Sequence, residues 1–293
     1  MKIWYAVIFT ILSGLSVGFA TLQTDFSKVR LAPEKVSGNV YIIQGVDEAA
    51  AFTGGNIAVS VGEDGVVLID TKMAPLTDKI KAAISEIGYG APTFIINTHV
   101  HGDHTGGNAA FSSEGTIIAH KNSRTRLLEN KPKEFWPVIT FDQSLSVYLN
   151  GEDIDVIHYP KGHTDGDAVI YFKSSNVVHA GDHYFSGLFP FVDLNRGGSV
   201  QGFMENVKSI LDVIDDSSII IPGHGPISNK ADLSVWRAML AESVDIVVAA
   251  MNSGKRLEEI KIIGLPEKMS GLSWDFVTTE KWIETIYTSY STE

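Results

Sequence analysis

Thr98-His-Val-His-Gly-Asp-His-Thr-Gly-Gly107 follows directly on the apolar run Thr93-Phe-Ile-Ile-Asn97, which reads as a strand. Three histidines and one carboxylate, His99, His101, Asp103 and His104, fall within six residues. In extended backbone, residues two apart share a face, so His99 and His101 converge on one ion. Asp103 and the adjacent His104 are then free to turn toward a second. Gly102, Gly106 and Gly107 permit the tight bends that this needs. Neutral imidazole and carboxylate suit zinc, and also iron or manganese. A polar loop with locally hydrogen-bonded side chains explains one such residue, but not four packed this closely.

Working outward, three more segments place ligand-type residues at strand ends. His163 lies in the glycine-rich turn Lys161-Gly-His-Thr-Asp-Gly-Asp167, Asp182 closes the run His179-Ala-Gly-Asp182, and His224 lies in Ile221-Pro-Gly-His-Gly-Pro226. Each alone is explained as a turn residue. Their shared setting is where a sheet presents loop residues to a common site.

Short strands recur along the chain, at Asn39–Ile43, Asn56–Val61, Val66–Asp70, Thr116–Ala119, Ser144–Leu149, Ile154–His158, Ala168–Phe172, Asn176–His179 and Ile219–Ile221. Ile80, Ala83, Ile84 and Ile87 at helical spacing predict a helix over Leu76–Ile87, and further helices are expected at Lys121–Glu129, Val200–Ile214 and Ala231–Met251. Strands interspersed with helices imply sheets with helices packed outside. No repeat or low-complexity linker divides the chain, so residues 21–293 are expected to form one domain.

The N-terminal segment stands apart. Met1-Lys2 is followed by a largely apolar stretch from Ile3 to Val17 and by the small-residue pattern Val17-Gly18-Phe19-Ala20. Residues 1–20 therefore read as a cleaved signal peptide, with periplasmic or secreted destination and no stable membrane association afterwards. An uncleaved membrane anchor is the competing reading. The chain has no cysteine, which removes thiolate ligands and cysteine nucleophiles from consideration. The apolar fraction of 44% supports a sizeable core, and the net charge of −12 makes nucleic acid a poor partner. A small-molecule substrate is expected instead.

The motif Thr98–Gly107, with His163, Asp182 and His224 in order behind it, resembles the metallo-β-lactamase superfamily over about Asn39 to Ala250. The resemblance implies a four-layer αβ/βα sandwich with the metals at its edge. It implies that His99, His101 and His163 hold one zinc, that Asp103, His104 and His224 hold another, and that Asp182 bridges them. A water activated between the two ions would attack a carbonyl, sulfuryl or phosphoryl centre, with Asp103 positioning it. Asp70 matches the strand-end acid that orients a ligand, or is a simple turn carboxylate.

The departures from the best-known β-lactamases are informative. Those with a cysteine ligand carry it where Asp182 stands here, with a substrate-gripping lysine three positions later; here that position is Phe185. Asp182 resembles the pattern of glyoxalase II and the lactonases, so ester, thioester or lactone hydrolysis is expected, with β-lactam hydrolysis as the alternative. Arg196 is either an anion anchor or a salt-bridged surface residue. Trp136, Phe185, Phe189 and Phe191 are candidates for an apolar rim, and His183 for a proton donor. A di-iron redox protein and a purely structural metal site are the readings from other classes. The first lacks room for a flavin domain, and the second would have no open coordination position.

Overall fold

The computed structural model describes residues 25–45 and 53–291. The expected signal segment, residues 1–20, lies outside the described residues. No helix among them is long and apolar enough to cross a membrane.

Thirteen strands among the described residues form two sheets. The first contains, in spatial as in chain order, β1 (Leu31–Ser37), β2 (Val40–Gly45), β3 (Ile57–Gly62), β4 (Gly65–Ile69), β5 (Phe94–Ile96), β6 (Thr116–His120) and β7 (Ile139–Phe141). It is antiparallel as far as β4 and parallel from there to β7. The second contains β8 (Ser144–Leu149), β9 (Glu152–His158), β10 (Ala168–Phe172), β11 (Val177–Phe185), β12 (Ile219–His224) and β13 (Ser228–Asn229), running from β8 at one edge to β13 at the other. Here β11 and β12 are parallel and the other pairs antiparallel.

The helices are α1 (Thr77–Glu86), α2 (Gly102–Thr105), α3 (Asn108–Phe111), α4 (Lys121–Asn130), α5 (Val200–Val213), α6 (Lys230–Asn252), α7 (Leu257–Ile263) and α8 (Thr279–Ser291). Side-chain oxygens cap two of the longest. Ser199 accepts from Gly202 N at the start of α5, and Asn229 accepts from Asp232 N at the start of α6.

Period-two alternation builds the layers. On β4, Val67 and Ile69 face the other sheet, while Val66 and Leu68 face outward to Leu76, Ile80 and Ile84 at and within α1. On β10, Ile170 and Phe172 face the first sheet, while Val169 and Tyr171 face outward to a cluster holding Phe203, Trp236, Leu240 and Trp282 of α5, α6 and α8. The result is helix, sheet, sheet, helix, the expected four-layer αβ/βα sandwich. Truncating a fully buried residue such as Ile80 to alanine should cost about 2–5 kcal/mol.

Two features differ from the sequence reading. The strand expected at Asn176–His179 runs on to Phe185, with register shifts against β12 on either side of Gly181. Asp182 therefore sits within an irregular strand rather than beyond its end. The ligand motif does not continue the strand: Thr98–Val100 bend, and the chain turns into α2 with His101, itself in extended backbone, as the N-cap residue.

The parallel pairings position the site. Parallel neighbours end side by side, so β4 delivers Asp70 next to the segment that leaves β5, and Asp70 N–H donates to Ile96 O. In the same way β11 and β12 bring Asp182 and His224 together, with Phe185 paired to His224. Two backbone bonds tie the sheets at this edge, Asn56 N–H to Gly223 O and Ala168 N–H to Thr98 O, both 2.7 Å.

Candidate metal centre

All seven ligand-type residues meet at this edge of the sandwich. They form two sets, His99, His101, His163 and Asp182 in one, and Asp103, His104 and His224 in the other, with the donor atoms of each set within 4.8 Å of one another. Asp182 reaches into both. Its Oδ2 lies 3.7 Å from His99 Nε2, 3.3 Å from His163 Nε2 and 3.5 Å from His224 Nε2, and its Oδ1 lies 3.1 Å from His104 Nε2.

Outer hydrogen bonds fix which nitrogen of each ring faces inward. His163 Nδ1 lies 2.6 Å from Phe191 O, and a carbonyl only accepts, so the proton is on Nδ1 and the Nε2 lone pair faces the centre. His104 Nδ1–H donates to Asp70 Oδ2 at 2.7 Å, which leaves its Nε2 inward. His101 is turned the other way, its Nε2–H donating to Asp193 Oδ2 at 2.9 Å and its Nδ1 facing inward. His99 Nδ1 bonds Thr98 Oγ1 at 3.0 Å, and that hydroxyl donates to Asp70 Oδ2 at 2.7 Å. The same carboxylate accepts from Thr98 N–H at 2.8 Å. One buried carboxylate thus orients a residue of each set, the carboxylate–histidine arrangement of metal sites.

These donors fit divalent ions. His163 Nε2 and His101 Nδ1 are only 2.8 Å apart, and His99 Nε2 is 3.2 Å from the same Nδ1. With the outer protons placed as above, these inward lone pairs repel unless a proton or a metal ion lies between them. Asp182 Oδ1 is buried without a hydrogen-bond partner, because His104 Nε2, though near, is not aligned as a donor. Such an orphaned acceptor is costly in a protein interior unless something else satisfies it. The backbone is cut to these donors, since a Cβ on Gly223 would overlap Asp182 Oδ1 and one on Gly55 would overlap the His104 ring.

Electrostatics agree. Burial lowers the His163 pKa to about 4 and holds His99 well below the ordinary imidazole range. Burial also opposes charge on His104, but the carboxylates of Asp182, Asp103 and Asp70 outweigh it and raise its pKa well above the usual value. Asp182 and Asp103 stay ionised despite burial because the histidines surround them.

The sequence-nominated residues around the ligands divide. Phe185, Phe191 and Arg196 line the cleft above the centre, a cavity of about 690 Å³. Arg196 Nη1 is held by Asp193 Oδ2 at 2.6 Å, so it is the salt-bridged arginine of the two readings, at the cleft wall. Trp136 is corrected: it stands at a separate surface hollow with Lys133 and Glu134, its indole N–H on Lys131 O. Phe189 is also corrected, fully buried against Trp282 because its backbone pairs with Leu272 rather than facing the cleft. His183 alternates away from Asp182 along β11, bonds Asn206 and is held to about 3 by burial, so it is not presented to the cleft as a proton donor.

Sequence reading missed four residues. Asp193 partners His101, and its place two residues after the nominated Phe191 was the available signal. Lys72 is wholly buried, donates to Gly55 O, and is lowered to about 7 by burial against the pull of Asp103 and Asp70. Both Asp70 and Lys72 adopt left-handed backbone, φ 64° and 51°, an arrangement that non-glycine residues hold only where surrounding structure demands it. Trp274 and Phe276, between the last two-turn 3₁₀ segment and α8, supply cleft wall from a part of the chain without a motif.

The family model of the metallo-β-lactamase superfamily matches residues 51–224, more than half of the chain. The chain belongs to the metallo-β-lactamase superfamily. With the superfamily's ligand cluster assembled, it is a metal-dependent hydrolase. It is 25% identical over 232 residues to the 2,4-dinitroanisole O-demethylase subunit alpha of Nocardioides sp. (strain JS1661), covering 76% of this chain and 67% of that one. It is also 25% identical to the hydroxyacylglutathione hydrolase of Nitrosococcus oceani, over 72% of this chain and 77% of the relative. Among solved structures, a double mutant of the sec-alkyl sulfatase PisA1 superposes with a TM-score of 0.71 at 16% identity, over 89% of this chain and 50% of that one. That likeness concerns the fold alone.

Proposed function

We propose that this centre binds two divalent ions, zinc first, with iron or manganese as candidates for one position, and hydrolyses carboxylic esters, thioesters or lactones. The observation that carries the reading is the pair of inward-facing donor sets sharing Asp182, open on one side to the cleft. Two such ions would supply Lewis acidity toward a carbonyl and a water that ionises near pH ~7.

The chain's own residues do the rest. His99, His101 and His163 would hold one ion and Asp103, His104 and His224 the other, with Asp182 within reach of both. Asp70 and Asp193 lock the ring tautomers. Asp103, which also lines the cleft, is placed to accept a hydrogen bond from an attacking water and so position it. The hydroxyacylglutathione hydrolase among the relatives supports the acyl-transfer chemistry. The β-lactam alternative is disfavoured because Phe185 presents a ring in place of a cation and Arg196 is already neutralised by Asp193. We also propose that residues 1–20 direct export; N-terminal sequencing of native protein should then begin near Thr21.

Elemental analysis should find close to two ions per chain, and a reproducible content of one or none in metal-replete buffer overturns the dinuclear reading. Side-by-side assays on p-nitrophenyl esters, a glutathione thioester, a homoserine lactone, nitrocefin and imipenem test the rest. The kcat/KM on the ester, thioester or lactone group should exceed that on the β-lactams. Penicillin or carbapenem turnover near ~10⁶ M⁻¹s⁻¹ refutes the substrate assignment.

A further inference from the structure

The cleft is framed by aromatic rings that run without a break from one ligand set to the other. Starting at His224, the Phe185 ring stacks at 5.1 Å and 20°, and Trp274 follows at 6.3 Å from Phe185. Phe276 lies 5.5 Å from Trp274, Phe191 lies 5.1 Å from Phe276, and His101 lies 5.8 Å from Phe191. The horseshoe therefore begins on a ligand of one set and ends on a ligand of the other.

Hydrogen bonds anchor the horseshoe at Trp274. Trp274 Nε1–H donates to Phe189 O at 2.9 Å, and Phe189 N–H donates to Leu272 O at 2.7 Å, tying the C-terminal segment back to the loop after β11. Phe276 is nonetheless 57% exposed, an apolar ring standing at the rim of a reactive cleft. Among the described residues that line the cavity, Arg196 is the single lysine or arginine, and Asp193 neutralises it, while Asp275 adds a negative charge on the aromatic side. Away from the metal ligands the described part of the wall is thus apolar with a slight negative bias.

Building on the proposed acyl hydrolase activity, we infer that the substrate is an uncharged ester or lactone carrying a medium-length apolar chain, and that Trp274 and Phe276 are the residues that select it. The chain lies along the aromatic horseshoe while the carbonyl sits at the ligand cluster. A substrate ending in a carboxylate meets Asp275 and finds, among the described lining residues, no lysine or arginine that is not already paired. Water leaves the horseshoe as the chain enters, and each fully buried methylene is worth up to about fourfold in binding.

The test uses the metal-loaded protein and the p-nitrophenyl esters of acetate, butanoate and octanoate, with the mono-ester of octanedioic acid as the charged match. The kcat/KM should rise at least about tenfold from butanoate to octanoate, and the octanedioate ester should fall at least about tenfold below octanoate. Phe276→Ser, at an exposed position, and Trp274→Ser should each reduce the octanoate-to-butanoate ratio by about fivefold or more. A second readout needs no turnover: binding of 2-decanone, followed by tryptophan fluorescence, should weaken at least about fivefold in Phe276→Ser, with metal content unchanged. If no ester of any length is hydrolysed, the acyl hydrolase reading fails, while the ketone still reports whether the cleft takes apolar chains. If esters are hydrolysed with no dependence on chain length, or the octanedioate ester matches octanoate, the selection by Trp274 and Phe276 is refuted.

Discussion

Replacing Asp70 by asparagine should weaken the ligand set holding His104 directly and the set holding His99 only slightly, through Thr98. The carboxylate is fully buried and accepts three hydrogen bonds, from Thr98 N–H, Thr98 Oγ1–H and His104 Nδ1–H. Asparagine keeps one acceptor oxygen and turns the other position into a donor. With its oxygen on Thr98 N–H, its amide N–H₂ faces His104 Nδ1, which must then give up its proton and carry it on Nε2 instead. That tautomer removes the inward lone pair from the set of Asp103, His104 and His224. A lost charge-assisted hydrogen bond costs about 1.5–3 kcal/mol, or roughly ten- to a hundredfold in the affinity of that ion. The same range is typical when the carboxylate partner of a ligating histidine is altered. Titrating the metal-free protein with zinc against a chromophoric chelator resolves two dissociation constants. One should rise ten- to a hundredfold and the other by less than about threefold. Equal weakening of both sites, or of neither, refutes the argument that Asp70 acts chiefly through His104.

Three further outcomes are expected. Asp193→Asn removes the acceptor of His101 Nε2–H, so in the same titration it should weaken the other site by about tenfold, the complement of the Asp70 result. Stripping metal with a chelator should lower Tm in a calorimetric scan, since an ion at a hundredfold its Kd contributes about 2.7 kcal/mol; an unchanged Tm counts against a metal-built site. Away from the centre, His120 stacks on His158 at 3.7 Å, its Nδ1 accepting from Asn122 N–H and its Nε2–H donating to Asp142 O. Burial and the neighbouring His158 lower its pKa to about 4. Its folded pKa is below the unfolded value near 6.5, so the unfolded chain takes up the proton first, and stability present above pH ~6.5 is lost as pH falls toward ~4. Urea midpoints measured from pH 7 to 4 should therefore fall less steeply for His120→Asn than for the parent; identical slopes would show that His120 is not the group responsible.

The sandwich and the ligand cluster were legible because their signals are local. Four ligand-type residues in Thr98–Gly107 follow one strand, and the alternation on Val66–Ile69 assigns both faces of a sheet without knowledge of its neighbours. The aromatic residues were not legible in this way. Phe185, Phe189 and Phe191 sit within seven positions, yet a bulged strand and one backbone bond to Leu272 send Phe189 into the core and leave the other two on the cleft. Trp136 was misplaced for the same reason, since hydrophobicity measures the drive to leave water and not which cavity receives the ring. Trp274 and Phe276 reach the site from about fifty residues beyond His224, a contact made by tertiary packing alone. Lys72 carries no sequence mark at all: its burial follows from the left-handed turn after β4, and a lysine beside a strand end reads as solvated.

Each donor set draws on both sheets, the first with His99 and His101 from one and His163 and Asp182 from the other, the second with Asp103 and His104 joined by His224. Neither half of the chain can therefore assemble a complete donor set by itself. During synthesis the ribosome releases the histidine motif long before His224, and the early ligands must wait through more than a hundred residues of nascent chain for their last partner. On the proposed reading a bound ion would certify that the two halves have docked in register, and a truncated or misassembled chain would fail that inspection by remaining empty.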